Sequence, residues 1–233
     1  MTFSRYAIYF GPRPGEPLHA FGLEWFGTDP ETGKEVPCRP LPGFDLAAHA
    51  ALTRAPRRYA LHGTLKPPFR LSKDQTYADL ALAVEALAAH LPTLECANPV
   101  LRRLSGFFAV CPARPDPVLD RIAAACITEL DRFRTPPSEA ELARRRSAGL
   151  SDRQDRNLLR WGYPYVLEDF RFHVTLTGRV DDAASRRIEP ALKERLNPVL
   201  AAPLSLRDLC IYGEPDDGSP FRIVDRFPLQ STP

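Results

Sequence analysis

"RFHVTLTG", residues 171–178, is a short run with two unlike faces. Phe172, Val174 and Leu176 alternate with Arg171, His173, Thr175 and Thr177. A strand sends successive side chains to opposite sides. One side here is therefore apolar, and the other carries a guanidinium, an imidazole and two hydroxyls. Taken alone, such a face reads as a solvated sheet surface.

A second stretch changes that reading. In "LHGTLK", residues 61–66, Leu61, Gly63 and Leu65 face one way while His62, Thr64 and Lys66 face the other. Each strand thus carries H-x-T-L with a cation on the same face: Lys66 in one, Arg171 in the other. The surroundings repeat as well. After His62 come an alanine-rich amphipathic helix at 76–91 and a hairpin turning at Ser105-Gly106. After His173 come the helical "DAASRRIEPALKERL" and the strands "APLSLRDLCIYG" and "FRIVDRFPL". Pro190 is predicted to kink or divide that helix.

Strand, helix and hairpin therefore occur twice. The repeat predicts one bilobal domain spanning 1–233, with lobes at 50–115 and 166–230 joined by helices within 116–165. Asp116 and Pro117 open the first linking helix. Ser138 with Glu141, and Ser151 with Gln154, have capping-box spacing and open two more. "RYAIYF", residues 5–10, reads as the first strand, with Tyr6, Ile8 and Phe10 on its core face. Residues 11–58 read as loop-rich, with a short helix at "PLHAFGLEWFG".

Composition narrows the function. With 233 residues, 44% hydrophobic and 26% charged, the chain is of ordinary globular make-up. A formal net charge of +2 argues against long nucleic acid as a partner. No run suits a secretory signal or a membrane span, so the cytoplasm is the default compartment. Five cysteines, odd in number and without C-x-x-C, read as reduced thiols. The 25 prolines cluster between elements and read as punctuation of ordered loops.

Two imidazoles on facing strands suit phosphodiester cleavage. Hydrolysis needs a base to take a proton from water and an acid to protonate the leaving alkoxide. Imidazoles titrating near 6.5 serve both roles. Thr64 and Thr175 can donate to phosphoryl oxygens, and Lys66 and Arg171 can offset their charge. There is no H-x-H, no helical i, i+4 histidine pair and no accompanying carboxylate motif, so neither metal nor cofactor is expected. The consecutive Arg144, Arg145 and Arg146 diverge on a helix, so at most one or two can meet a common ligand. "WGYPY", residues 161–165, reads as loop packing. His19, His49 and His90 receive no role.

"LHGTLK" and "FHVTLT" resemble the paired H-x-[ST]-x motifs of the two-histidine phosphoesterase superfamily. "RRYALHGTLKPPFRL", "ELARRR" and "LLRWGYPYVLEDFRFHVTLTG" are similar to its branch encoded beside bacterial phosphonate-degradation genes. The resemblance covers nearly the whole chain. It implies an α+β, bilobal, pseudo-two-fold fold with antiparallel sheets around a central cleft and helices outside. It further implies catalytic His62, Thr64, His173 and Thr175 acting on a small phosphorylated substrate, such as a ribose cyclic phosphate. RNA-end 2′,3′-cyclic phosphodiesterase or 2′–5′ ligase-like activity, and a non-catalytic phosphate-binding module, are the alternatives. Oligomeric state is left open.

Overall fold

The computed structural model describes residues 2–230. Along the chain run β1 (Phe3–Phe10), α1 (Pro17–Phe26), α2 (Leu46–Arg57), β2 (Gly63–Phe69), α3 (Tyr77–Ala88) and β3 (Leu94–Cys96). Then come β4 (Val100–Leu104), β5 (Phe107–Cys111), α4 (Pro117–Glu129), α5 (Glu139–Arg146) and α6 (Asp152–Trp161). The last elements are β6 (Val174–Thr175), α7 (Asp182–Leu200), β7 (Leu204–Leu206), β8 (Asp208–Pro215) and β9 (Arg222–Pro228).

The α+β architecture centres on one seven-stranded antiparallel sheet, ordered β4-β5-β6-β2-β1-β8-β9. β3 and β7 form a separate ribbon. The two motif strands, β2 and β6, are neighbours at its middle. Their hairpins are exchanged: β4–β5, which follows the first motif in sequence, pairs with the second motif strand. The β8–β9 pair, which follows the second motif, lies beside β1 and so next to the first. Each half of the sheet therefore draws strands from both sequence repeats.

One sheet face is covered by helices. Ile8, Phe10, Leu65, Val110, Val174 and Ile211 point there and pack with Phe21 and Trp25 of α1, Leu80 and Val84 of α3, Ile122 and Cys126 of α4, and Leu192 of α7. On the other face Ala7, Tyr9, Cys210, Tyr212 and Phe221 form a smaller cluster. All five cysteines are unpaired. No helix among the described residues is long and apolar enough to cross a membrane.

Local chemistry explains the elements. Asp116 caps α4 through the Val118 amide, and both capping boxes close at α5 and α6. Ser105 and Gly106, with φ of 46° and 92°, make the two-residue turn of the β4–β5 hairpin. Three expectations need correction. Residues 46–57 are a helix, capped by Asp45, rather than loop; Pro56 falls in its last turn and disguises it. The strand expected over 171–178 shrinks to two residues, because the Leu176 and Thr177 amides both turn to Phe108 O, at 2.9 and 3.4 Å, and break the ladder. Helix α7 runs unbroken past Pro190 and Pro198. Both prolines lie on its exposed side, while Ser185, Ile188, Leu192 and Leu196 hold the buried stripe.

Candidate active site

β2 and β6 meet antiparallel with Gly63 opposite Val174. Both are buried on the core side. Continuing that register one step each way sets His62 across from Thr175 and Thr64 across from His173, all four on the opposite face. The two imidazoles are then diagonal neighbours, on strands whose positions are about 7–8 Å apart. Gly63 makes this close approach feasible: a Cβ there would sit 2.3 Å from Cζ of Phe172.

The two histidines are held alike. His62 Nδ1 donates to Ala60 O at 3.0 Å, and His173 Nδ1 donates to Arg171 O at 2.7 Å. A carbonyl only accepts, so each neutral ring carries its proton on Nδ1 and leaves Nε2 as the acceptor. The Thr64 and Thr175 hydroxyls have no hydrogen-bond partner among the described residues and line the same cleft. Thr177, by contrast, is committed. Its hydroxyl accepts from the Phe108 amide and donates to Gly178 O.

Their surroundings differ. The Tyr9 ring stacks on His62 with centroids 3.8 Å apart and planes 19° from parallel. Burial first, and to a smaller extent the neighbouring His173, pull the His62 pKa down to about 4 against the opposing pull of the Ala60 carbonyl. His173 meets the Phe107 ring at 5.6 Å, and burial lowers its pKa below the ordinary value.

The cleft encloses about 380 Å³. Besides the four motif residues, Arg5, Arg145, Arg179, Tyr9, Tyr59 and Tyr163 line it, and among the described residues no carboxylate does. Arg5 is aimed by Glu214, which accepts from its Nε at 2.5 Å and Nη2 at 2.9 Å. Glu214 also accepts from Arg58, and the two guanidiniums hold its carboxyl pKa down to about 2. Among the described residues the charged side chains of the lining are therefore all guanidiniums, one of them paired with Glu214.

The two cations predicted to serve the cleft do not. Lys66 is 1% exposed and lies on the core side, with Nζ donating to Ile127 O at 3.2 Å and 3.6 Å from Asp131. β1 explains its turn: register shifts between its pairs with residues 69, 66 and 64 break the strict alternation along β2. Burial brings its pKa down to about 8. The Arg171 guanidinium turns back to Glu168 O and Phe170 O, outside the cleft, and only its carbonyl serves a histidine.

Of the arginine triplet, Arg145 reaches the cleft, 4.7 Å over the Tyr163 ring, while Arg146 pairs with Asp155. Tyr163 therefore lines the cleft as well as packing its loop. Arg5 and Tyr9 were legible in principle: they alternate with Tyr6, Ile8 and Phe10 on β1 and share the face of the motif residues. Arg179 and Tyr59 carried no such signal. Among the described residues no three His, Cys, Asp or Glu side chains are grouped to hold a metal ion.

Residues 64–222 match the model of a family described as a protein of unknown function (DUF1045). "Ribose 1,5-bisphosphate phosphokinase PhnN" of Janthinobacterium sp. (strain Marseille) is 35% identical over 98% of this chain and 51% of its own length. The protein of the same name from Laribacter hongkongensis (strain HLHK9) is 31% identical over 94% and 50%. The chain thus spans about half the length of these curated relatives. A crystal structure titled as a phosphoesterase overlaps 98% of this chain and 99% of its own, at TM-score 0.44 and 12% identity. Escherichia coli LigT complexed with NADP+ overlaps 99% of each chain at TM-score 0.40 and 12% identity. Overlaps this loose carry no residue across.

Proposed function

The chain belongs to the DUF1045 family, and from that premise we propose that its cleft is the active site of a metal-independent phosphodiesterase acting on a small cyclic phosphodiester. The observation that carries the proposal is the histidine geometry. Two imidazoles with matched tautomers flank two unpartnered threonine hydroxyls in a cleft lined by guanidiniums without carboxylates. A binding module has no use for two proton-transfer groups.

His62 is the base. Enclosed by Tyr9 and depressed to about 4, it stays neutral across the physiological range and accepts the proton of the attacking water at Nε2. His173 is the acid, taking up a proton as the anionic substrate enters and giving it to the leaving oxygen. Water adds to phosphorus, the ring P–O bond breaks, and a phosphomonoester with a free hydroxyl results. Thr64 and Thr175 donate to the non-bridging oxygens, and Arg5 and Arg179 balance their charge.

A ribose cyclic phosphate, as in the phosphonate-associated branch, fits the cleft's volume and charge. The relatives' printed name also concerns a ribose phosphate, though as a kinase substrate. A kinase reading finds no support here, since the chain lacks the G-x-x-x-x-G-K-[ST] run that cradles nucleotide phosphates. The test is a substrate panel with purified protein: ribose 1,2-cyclic phosphate, 2′,3′-cyclic nucleotides, and a short RNA with a cyclic end. Turnover of a small cyclic phosphodiester that persists in EDTA is expected. No turnover of any member, or turnover restored only by a divalent cation, overturns the proposal.

A further inference from the structure

The wall made by Arg5, Pro68 and Arg145 has a second side. The same three residues line an adjoining cavity of about 80 Å³, whose remaining lining includes Arg70, Arg134, Glu141 and Arg144. Five guanidiniums therefore surround this annex. Three are answered: Arg5 by Glu214, Arg70 by Glu141 at 3.2 Å, and Arg134 by Asp131 at 2.9 Å. Two of those carboxylates are shared further, Glu214 with Arg58 and Asp131 with Lys66. Arg144 and Arg145 have no carboxylate partner among the described residues, so they carry the annex's uncompensated charge.

Their placement is fixed by the fold. The Thr135-Pro136-Pro137 run stiffens the approach to α5, and the Ser138–Glu141 capping box sets the helix's first turn. Leu142 is buried and anchors the helix's rotation. Arg145, one turn on, sits over Tyr163 with its guanidinium carbon 4.7 Å from the ring centroid. Among the described residues Glu141 is the one carboxylate in the lining, and it is occupied by Arg70 and the Ser138 amide.

We propose that the annex is a second anion subsite, taking a phosphomonoester of the same molecule whose cyclic diester lies between His62 and His173. An excess of two positive charges matches the −1.5 to −2 of a phosphomonoester near neutrality. Arg5, Pro68 and Arg145 border both cavities, which sets the two sites side by side. The preferred substrate class is thus a cyclic phosphodiester bearing a separate terminal phosphate. That substrate statement rests on the phosphodiesterase reading; the anion binding does not.

Two measurements separate these claims. The first compares kcat/KM for a cyclic phosphodiester with and without its terminal phosphate: adenosine 2′,3′-cyclic phosphate against its 5′-phosphate, and ribose 1,2-cyclic phosphate against its 5-phosphate. The phosphorylated member is expected to lead, and Arg144→Gln or Arg144→Glu to cut that lead by roughly ten- to hundredfold, the span of a charged hydrogen bond. A lead that is absent, or that both variants leave intact, overturns the proposal. So does a higher kcat/KM for a cyclic-ended dinucleotide than for either phosphorylated monomer, which would assign the annex to an RNA backbone. The second titrates inorganic phosphate into wild type, Arg144→Glu and the His62→Ala/His173→Ala double variant by calorimetry. Binding should survive the histidine changes and weaken at least about tenfold in Arg144→Glu; the opposite pattern sinks the subsite. If wild type turns over no cyclic diester, the catalytic reading fails and the phosphate titration alone decides the annex.

Discussion

The segments 60–66 and 171–177 share the H-x-T-L pattern, yet they are finished differently. In both, a histidine donates to the carbonyl two residues earlier, and a threonine two residues later opens to the cleft. The residue supplying that carbonyl is Ala60 in one and Arg171 in the other. Only the carbonyl is common to the two, which is why the Arg171 side chain is free to leave the site. The position four residues after the histidine is Lys66 in one and Thr177 in the other, and both are buried. Around the first histidine the second sheet face packs Tyr9, Tyr212 and Tyr59; around the second, Phe107 makes the one ring contact among the described residues. Pseudo-symmetry places the groups, and unequal burial makes one histidine harder to protonate than the other. The lesson is that a repeated motif can duplicate geometry without duplicating acidity.

The comparison breaks most decisively at the imidazoles. His62→Ala and His173→Ala are each expected to remove about two to four decades of kcat/KM, the usual span of a positioned base or acid. The double variant should lose less than the product of the singles, because groups acting as a unit are not additive. A single replacement with little loss would reduce that histidine to a phosphate-positioning group.

Next come the hydroxyls. Thr64→Val and Thr175→Val are each expected to lower kcat/KM roughly ten- to hundredfold while leaving the limbs of the pH profile where they were, since a hydroxyl donor stabilises charge without titrating here. A moved limb would show that the threonine tunes its cross-strand histidine instead.

The pH profile sharpens the asymmetry itself. The base must be neutral and the acid protonated, so kcat/KM should rise with pH through about 4, set by His62, and fall through a value below 6.5, set by His173. The optimum therefore lies on the acid side of neutrality. Tyr9→Ala admits water beside His62, relieves its desolvation and should carry the acid limb upward; an unmoved limb would take the stacked ring out of the account.

The smallest effect on catalysis is expected at Lys66. Lys66→Met removes an ammonium from the core but leaves Asp131 its Arg134 partner. Thermal unfolding should shift by a few degrees, with kcat/KM unchanged. A loss of turnover comparable to that of Thr64→Val would return Lys66 to the cleft.

Sequence alone determined the class of elements, most helix starts and that His62, Thr64, His173 and Thr175 share one strand face each, because each is a local matter. Capping residues bond amides three positions away, and an alternating pattern decides a strand's faces within a few residues. The same local logic carried the histidine–threonine pairs, whose partners lie on neighbouring strands of matching pattern. Tertiary structure decided the rest. The exchange of hairpins between the sheet's halves needs long-range pairing that no local pattern encodes. Lys66 left the cleft because register shifts opposite β1 broke the alternation along β2. Arg171 left it because its guanidinium found nearer carbonyls. The cations that do line the cleft come from β1, α5 and the turn after β6. Charge gathered from distant segments is a property of packing, and composition near neutrality gave no hint of it.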